Sequence, residues 1–208
     1  MSYHQVSRVK LTPDVIDCIV FWTKDPSKML DKLHLLDEYK YYFQITINPY
    51  GQHLEKRVSH PDRVIKSFQG LLGKIGKDRV IWRYDPIILT KEMNLDYHAT
   101  NFNKIASKLS GHTERCIISF ADNYRKTERN MKSIVQEDIT GEIMLRIGEK
   151  FTEIGDKYNL KISTCSEIVD LSAVGIEHAK CIDDRLISQI IGESLIIAKD
   201  KNQREECG

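Results

Sequence analysis

The sequence predicts an α/β protein, an incomplete (β/α) TIM-barrel-like fold with parallel strands. Three observations predict it. Short apolar runs rich in β-branched residues alternate with amphipathic stretches along the chain. A helical crossover between successive strands implies a parallel sheet. Five such units fall short of the eight that close a barrel.

The first apolar run is Ile16-Asp-Cys-Ile-Val-Phe-Trp22. The second is Tyr41-Tyr-Phe-Gln-Ile-Thr-Ile47 and the third Arg79-Val-Ile-Trp-Arg-Tyr84. The fourth is Arg115-Cys-Ile-Ile-Ser-Phe120 and the fifth Leu160-Lys-Ile-Ser-Thr-Cys165. Runs this short, apolar on both faces, suit buried strands of a parallel sheet. Ile19, Phe21, Ile45, Ile47, Ile81, Ile117 and Ile162 are the expected core. A missing strand would leave an open edge beside the first run, a site for aggregation.

The intervening stretches carry helical spacing. Val64, Ile65, Phe68, Leu71, Leu72 and Ile75 share one face, as do Ile143, Ile147, Phe151, Ile154 and Tyr158. Met29, Leu33 and Leu36 form a shorter set, and Phe102, Ile105, Ala106 and Leu109 another. Pro26 and Pro61 stand where helices begin, a position that tolerates proline. Gly76 stands where one stops. Residues 1–182 are read as the partial barrel. Residues 183–208, a short helix, a short apolar run and a charged tail, are read as a C-terminal appendage.

Composition narrows the function classes. Lys plus Arg is 31 and Asp plus Glu 30 in 208 residues, a formal charge of +1. So even a balance argues against strong non-specific attraction to nucleic acid or an anionic membrane. No apolar run approaches the roughly 18 residues of a membrane span, and no signal peptide opens the chain. A cytoplasmic protein with no membrane partner is expected. Five cysteines are then thiols, metal ligands or catalytic groups rather than a disulfide framework. Cys18 and Cys116, inside apolar runs, read as small buried hydrophobes.

In parallel α/β folds, function gathers at the C-terminal ends of strands. Successive strand ends carry Lys24, Asn48, Arg83 with Asp85, Ser119 and Glu167. Arg83 interrupts an otherwise apolar run, and strand alternation puts it on one face with Asp85. The two either pair with each other or, with Lys24 and Asn48, hold an anionic or polar ligand, for which a guanidinium is suited. Asp85 and Glu167 also admit a TIM-barrel hydrolase using paired carboxylates, with Trp22 and Tyr50 as sugar platforms. Residues 124–132 form a basic strip. It fits a solvated helix face or a phosphate contact, so a non-catalytic metal- or nucleic-acid-binding module also stays open.

Cys165, Cys181 and Cys207 follow the pattern C-x15-C-x25-C, with His178 three residues before Cys181. This is not a compact zinc-finger spacing. The thiols are either unrelated or converge, with His178 in reserve, on one metal.

Several segments together resemble a known family. They are Val6-Ser-Arg-Val, Cys18-Ile-Val-Phe-Trp-Thr-Lys-Asp-Pro26, Tyr42-Phe-Gln-Ile-Thr-Ile-Asn-Pro-Tyr-Gly51, Val80-Ile-Trp-Arg-Tyr-Asp-Pro86 and Thr113-Glu-Arg-Cys-Ile-Ile-Ser-Phe120. Tyr124-Arg-Lys-Thr, Thr164-Cys165, Asp170-Leu171, the 178–183 segment and Asp200-Lys-Asn-Gln-Arg204 extend the likeness. The chain resembles a prokaryotic family of unknown function with radical-SAM-like features. That resemblance implies the barrel portion of an iron–sulfur protein with an unknown substrate, small molecule or nucleic acid. Members usually carry an additional leading strand and a C-terminal Cys-x-x-x-Cys-x-x-Cys, whose three thiolates hold a cluster that binds S-adenosylmethionine. Residues 1–208 contain no such motif. The resemblance therefore implies a fragment that holds part of the machinery and is inactive alone, with S-adenosylmethionine bound only where the motif is present. It also implies that Cys165, Cys181 and Cys207 belong to an additional iron–sulfur cluster.

Overall fold

The structure is a computed structural model and describes residues 8–52, 54–121, 138–165 and 167–196. Among the described residues six strands form one sheet, β1 (Ile19–Thr23), β2 (Tyr41–Thr46), β3 (Val80–Ile87), β4 (Arg115–Phe120), β5 (Lys161–Thr164) and β6 (Glu177–His178). Their spatial order is the chain order, every pairing is parallel, and β1 and β6 are not joined. The expected incomplete barrel-like α/β sheet is what forms, with one strand more than the sequence predicts. β6 was missed because two exposed residues, Glu177 and His178, carry no hydrophobic signal.

Among the described residues the α-helices are α1 (Pro61–Ile75), α2 (Leu95–Leu109), α3 (Gly141–Tyr158) and α4 (Asp184–Ile191). Each begins with a side-chain cap that satisfies an orphan backbone amide. His60 accepts from Asp62 N, Asn94 from Tyr97 N, Thr140 from Ile143 N and Asp183 from Leu186 N. Pro61 sits at the first turn of α1, and α3 ends on Asn159 in the left-handed region at φ 54°. The 29–36 stretch is a 3₁₀ helix, Ser27–Leu36, rather than an α-helix. Leu30, Leu33 and Leu36 are three apart, so they eclipse into one stripe on a three-residue turn.

The two faces of the sheet bury different things. Toward the helices lies the large core: Phe43, Ile45, Trp82, Tyr84, Phe102, Ile118 and Phe151, all essentially solvent-free. Ile45, Ile47, Ile81, Ile117 and Ile162 are buried as the sequence predicts. Ile19 and Phe21 are only half-buried, because β1 is an edge strand with a neighbour on one side. The concave face carries a smaller apolar floor of Tyr42, Ile81 and Ile117, covered by Leu186 and Ile187 of α4. Leu186 and Ile187, within the stretch read as an appendage, thus pack directly against this face of the sheet. Among the described residues, no helix is long and apolar enough to cross a membrane.

Helix α3 approaches β5 closely through glycine. A Cβ on Gly155 would lie 2.7 Å from the Leu160 carbonyl oxygen and 3.0 Å from Ile162 Cδ1. The backbone oxygen cannot swing aside, so the helix must shift. Gly155→Ala is therefore expected to cost about 1–3 kcal/mol, as overpacking does. Urea denaturation checks this, and an unchanged midpoint would refute the close approach.

Candidate functional site at the strand ends

Alternation along β2, β3 and β4 turns Gln44, Arg83, Asp85 and Ser119 to the concave side, above the apolar floor. Arg83 is 6% exposed, so its charge requires partners. Its Nε and Nη2 each donate to Asp85 Oδ2 at 2.9 Å, and Nη1 donates to Gln44 Oε1 at 2.7 Å. Burial pulls the Arg83 pKa down, but Asp85 and Cys165 together hold it above the ordinary value. The other Asp85 oxygen accepts from the Ser119 hydroxyl. Trp22, 54% exposed, lies against the guanidinium at 5.2 Å from ring centroid to Cζ.

The sequence left Arg83 either paired with Asp85 or ligand-directed. The structure pairs it, and does so on the concave side at the strand ends.

Asn48 has a more local task. The β3–β4 register shifts between Tyr84 and Ile87, just where Asp85 and Pro86 lie. There the Asn48 side chain stands in for a strand: Nδ2 donates to Asp85 O at 2.8 Å, and Asp85 N donates to Oδ1 at 2.9 Å. Lys24 pairs with Glu55, which also receives a long 3.5 Å contact from Asn48 Nδ2. Glu167 is 5% exposed, and its Oε1 accepts from Phe120 N at 2.7 Å, closing the end of β4. Lys24, Asn48, Arg83, Asp85 and Ser119 are thus linked through shared partners, and Glu167 joins them through the β4 backbone. Glu55 and Gln44 complete the network. Glu55 lies in a loop without periodicity, so nothing in the sequence singles it out. Gln44 was legible as a polar residue inside an apolar strand.

The outer face braces these ends. The Tyr50 hydroxyl donates to Pro86 O at 2.6 Å and accepts from Ile88 N at 2.9 Å. Tyr84 Oη lies 2.9 Å from His98 Nδ1, and His98 Nε2 lies 2.9 Å from Ile88 O. A neutral ring donating from Nε2 and accepting at Nδ1 satisfies both contacts. Burial lowers the His98 pKa below 6.5. The unfolded chain then binds the extra proton, so stability is full above pH 6.5 and falls as pH drops through the lower folded value. His98→Gln is expected to flatten this part of the stability-versus-pH curve. Identical slopes in both proteins would remove His98 as the cause.

The thiols divide by place. Cys116 is solvent-free behind the sheet, and burial pushes its thiol well up; Cys18 is half-buried and also raised by burial. Cys165 and Cys181, 16 residues apart, bring their sulfurs to 3.0 Å. The pairing of Thr164 with His178 aligns the two segments. His178 itself is occupied at Nδ1 by the Thr164 hydroxyl, 3.2 Å away. Among the described residues no group of three His, Cys, Asp or Glu side chains could hold a metal. Of the four expected ligands, two meet, His178 does not join them, and Cys207 lies outside the described residues. So does the basic strip at 124–132.

Comparison with known proteins places the whole chain. Residues 1–208 match the family described as Domain of unknown function (DUF1848). The chain belongs to this family. No curated protein matches it. The DUF1848 assignment supports the uncharacterised family that the sequence blocks resemble, and it carries no activity with it.

A separate cavity of about 350 Å³ opens nearer the strand beginnings, lined by Ile81, Ile117, Ser163, Arg185 and Gln189 among others. None of the strand-end residues from Lys24 to Glu167 lines it.

Proposed function

We propose that this DUF1848 chain is the substrate-holding barrel portion of a radical-SAM-like iron–sulfur protein, and that its mouth receives a small polar or anionic molecule. The observation that carries the binding half is Arg83: a buried guanidinium pinned by Asp85 and Gln44 beneath an exposed Trp22. A cation fixed in this way is preorganised, and an exposed aromatic ring beside it offers a stacking face. The radical half rests on the family resemblance of the sequence blocks.

Among the described residues, the thiols do not by themselves fit a radical-type cluster. That cluster takes three closely spaced thiolates, and among the described residues only Cys165 and Cys181 meet. No chemical step is therefore routed through it. The hydrolase reading gains little from the geometry, since both Asp85 oxygens are engaged by Arg83 and Ser119. Glu167 likewise accepts from the β4 backbone.

The test is to express the natural full-length gene and purify its product without oxygen. Brown protein with bound iron and sulfide, cleaving S-adenosylmethionine when reduced, is the expected result. Colourless protein without iron would overturn the radical half. Salt-dependent binding of nucleic acid without turnover would favour the binding module.

A further inference from the structure

We infer that the cavity near the strand beginnings is a second binding site, and that it takes a small organic monocarboxylate with an apolar body. This goes beyond the reading of the strand-end site and does not depend on it, because no strand-end residue lines this cavity.

Three observations carry the inference. The first is shape and lining. Alternation turns Ile81 of β3, Ile117 of β4 and Ser163 of β5 to the concave face, and α4 lies across them. The space left between sheet and helix is about 350 Å³. Pockets for small molecules run from roughly 300 to 1,000 Å³ and join an apolar lining to a few convergent polar groups. Here Ile81 and Ile117 are buried and make the apolar floor, with Ala179 packed against it.

The second observation is unused hydrogen-bonding capacity. Among the described residues, the Ser163 hydroxyl, the Arg185 guanidinium and the Gln189 amide make no side-chain hydrogen bond or ion pair, yet all three line the cavity. Ser163 is half-buried between β4 and β6, so its hydroxyl is held in place by the sheet. Arg185 and Gln189 are four residues apart on α4, which makes them neighbours on one face of the helix. Donors therefore approach the same space from the strand side and from the helix side.

The third observation is charge, and it sets the class of ligand. The other lining cations each have a carboxylate. Arg115 pairs with Asp183 at 3.2 Å, Lys161 with Glu177 at 3.1 Å and Lys180 with Asp184 at 2.8 Å. Arg185 is left as the cation without a counterion among the described residues. One uncompensated positive charge balances one negative charge. A phosphate monoester carries about −1.5 to −2 near neutral pH and would also face the Glu177 and Asp183 carboxylates. A carboxylate carries a single charge and matches the planar guanidinium fork with two parallel hydrogen bonds. The apolar floor then receives the rest of the molecule.

The experiment titrates the isotope-labelled full chain with isocaproate and follows backbone amide shifts by NMR. Saturable shifts at Lys161, Ser163, Arg185 and Gln189 are the expected result. Isocaproamide, neutral and of the same shape, should produce none. Acetate lacks the apolar body and should bind about tenfold or more weaker, as the loss of several buried methylenes requires. Arg185→Gln should weaken isocaproate by about tenfold or more, the size of a lost charge-assisted hydrogen bond. Lys150→Gln, the same charge change on the exposed face of α3, should leave the affinity as it was. Arg185 is exposed, so its replacement leaves the fold in place. Four results overturn the proposal: no saturable shifts at these residues, equal binding of isocaproamide, equal affinity in Arg185→Gln, or inorganic phosphate binding as tightly as isocaproate.

Discussion

Arg83→Ala is expected to lower stability by about 3 kcal/mol, the lower end of what breaking a buried ion pair costs. The lower end applies because the Asp85 side chain is 25% exposed and can recover some water, whereas the Arg83 side chain is 7% exposed. Two partners lose their donor at once: the Asp85 carboxylate and the Gln44 amide oxygen. At roughly 2–4 °C per kcal/mol for a chain of this size, the melting temperature should fall by about 6–12 °C. A double-mutant cycle separates the pair from its surroundings. Arg83→Ala combined with Asp85→Ala should cost clearly less than the two single losses added, because the orphaned carboxylate is gone. Strict additivity would mean that the pair contributes nothing of its own. Arg83→Lys keeps the charge but lacks the planar fork, so it cannot serve Asp85 and Gln44 together and should fall between.

The same residues mark how far the sequence can be read. A guanidinium inside Val80-Ile-Trp-Arg-Tyr-Asp-Pro announces itself, because burying it is costly and apolar neighbours leave no surface position for it. Its orientation followed from alternation alone, and so did the burial of Ile45, Ile81 and Ile117. What alternation cannot carry is the partner across the sheet. Gln44, Glu55 and the Cys181 carbonyl reach Arg83, Lys24 and Gln44 through contacts spanning 31 to 137 residues. Such pairings are set by tertiary packing, and local pattern is silent on them. The role of Asn48 was hidden for another reason. It repairs a register shift in β3, and register is a property of two strands together. His178 looked like a ligand from its place in the chain, but one step along a strand changes its surroundings. It meets Thr164, and the neighbouring Cys165 meets Cys181.

Phe102→Ala should destabilise the protein most, by about 4 kcal/mol, within the range for truncating a fully buried Phe. Phe102 is solvent-free and joins three elements. Its ring stacks on Phe151 of α3 at 3.9 Å and on Trp82 of β3 at 4.8 Å, and meets Tyr84 edge-on at 5.4 Å. Truncation removes transfer energy and leaves a void between elements that are each held by other contacts. α2 is tied down by the His98 network, and β3 has strands on both sides. The void cannot close easily, which is the condition for a large penalty. Aromatic pairing adds about 0.5–1.5 kcal/mol beyond burial, so Phe102→Leu isolates that part by keeping most of the volume. Urea denaturation decides it. The alanine variant should shift the midpoint strongly with an unchanged slope, and the leucine variant should shift it far less. A loss below about 1 kcal/mol for alanine would mean that α2 and α3 collapse onto each other without the ring. The aromatic stack would then be a consequence of the fold, and the sheet would be held by its aliphatic layer alone.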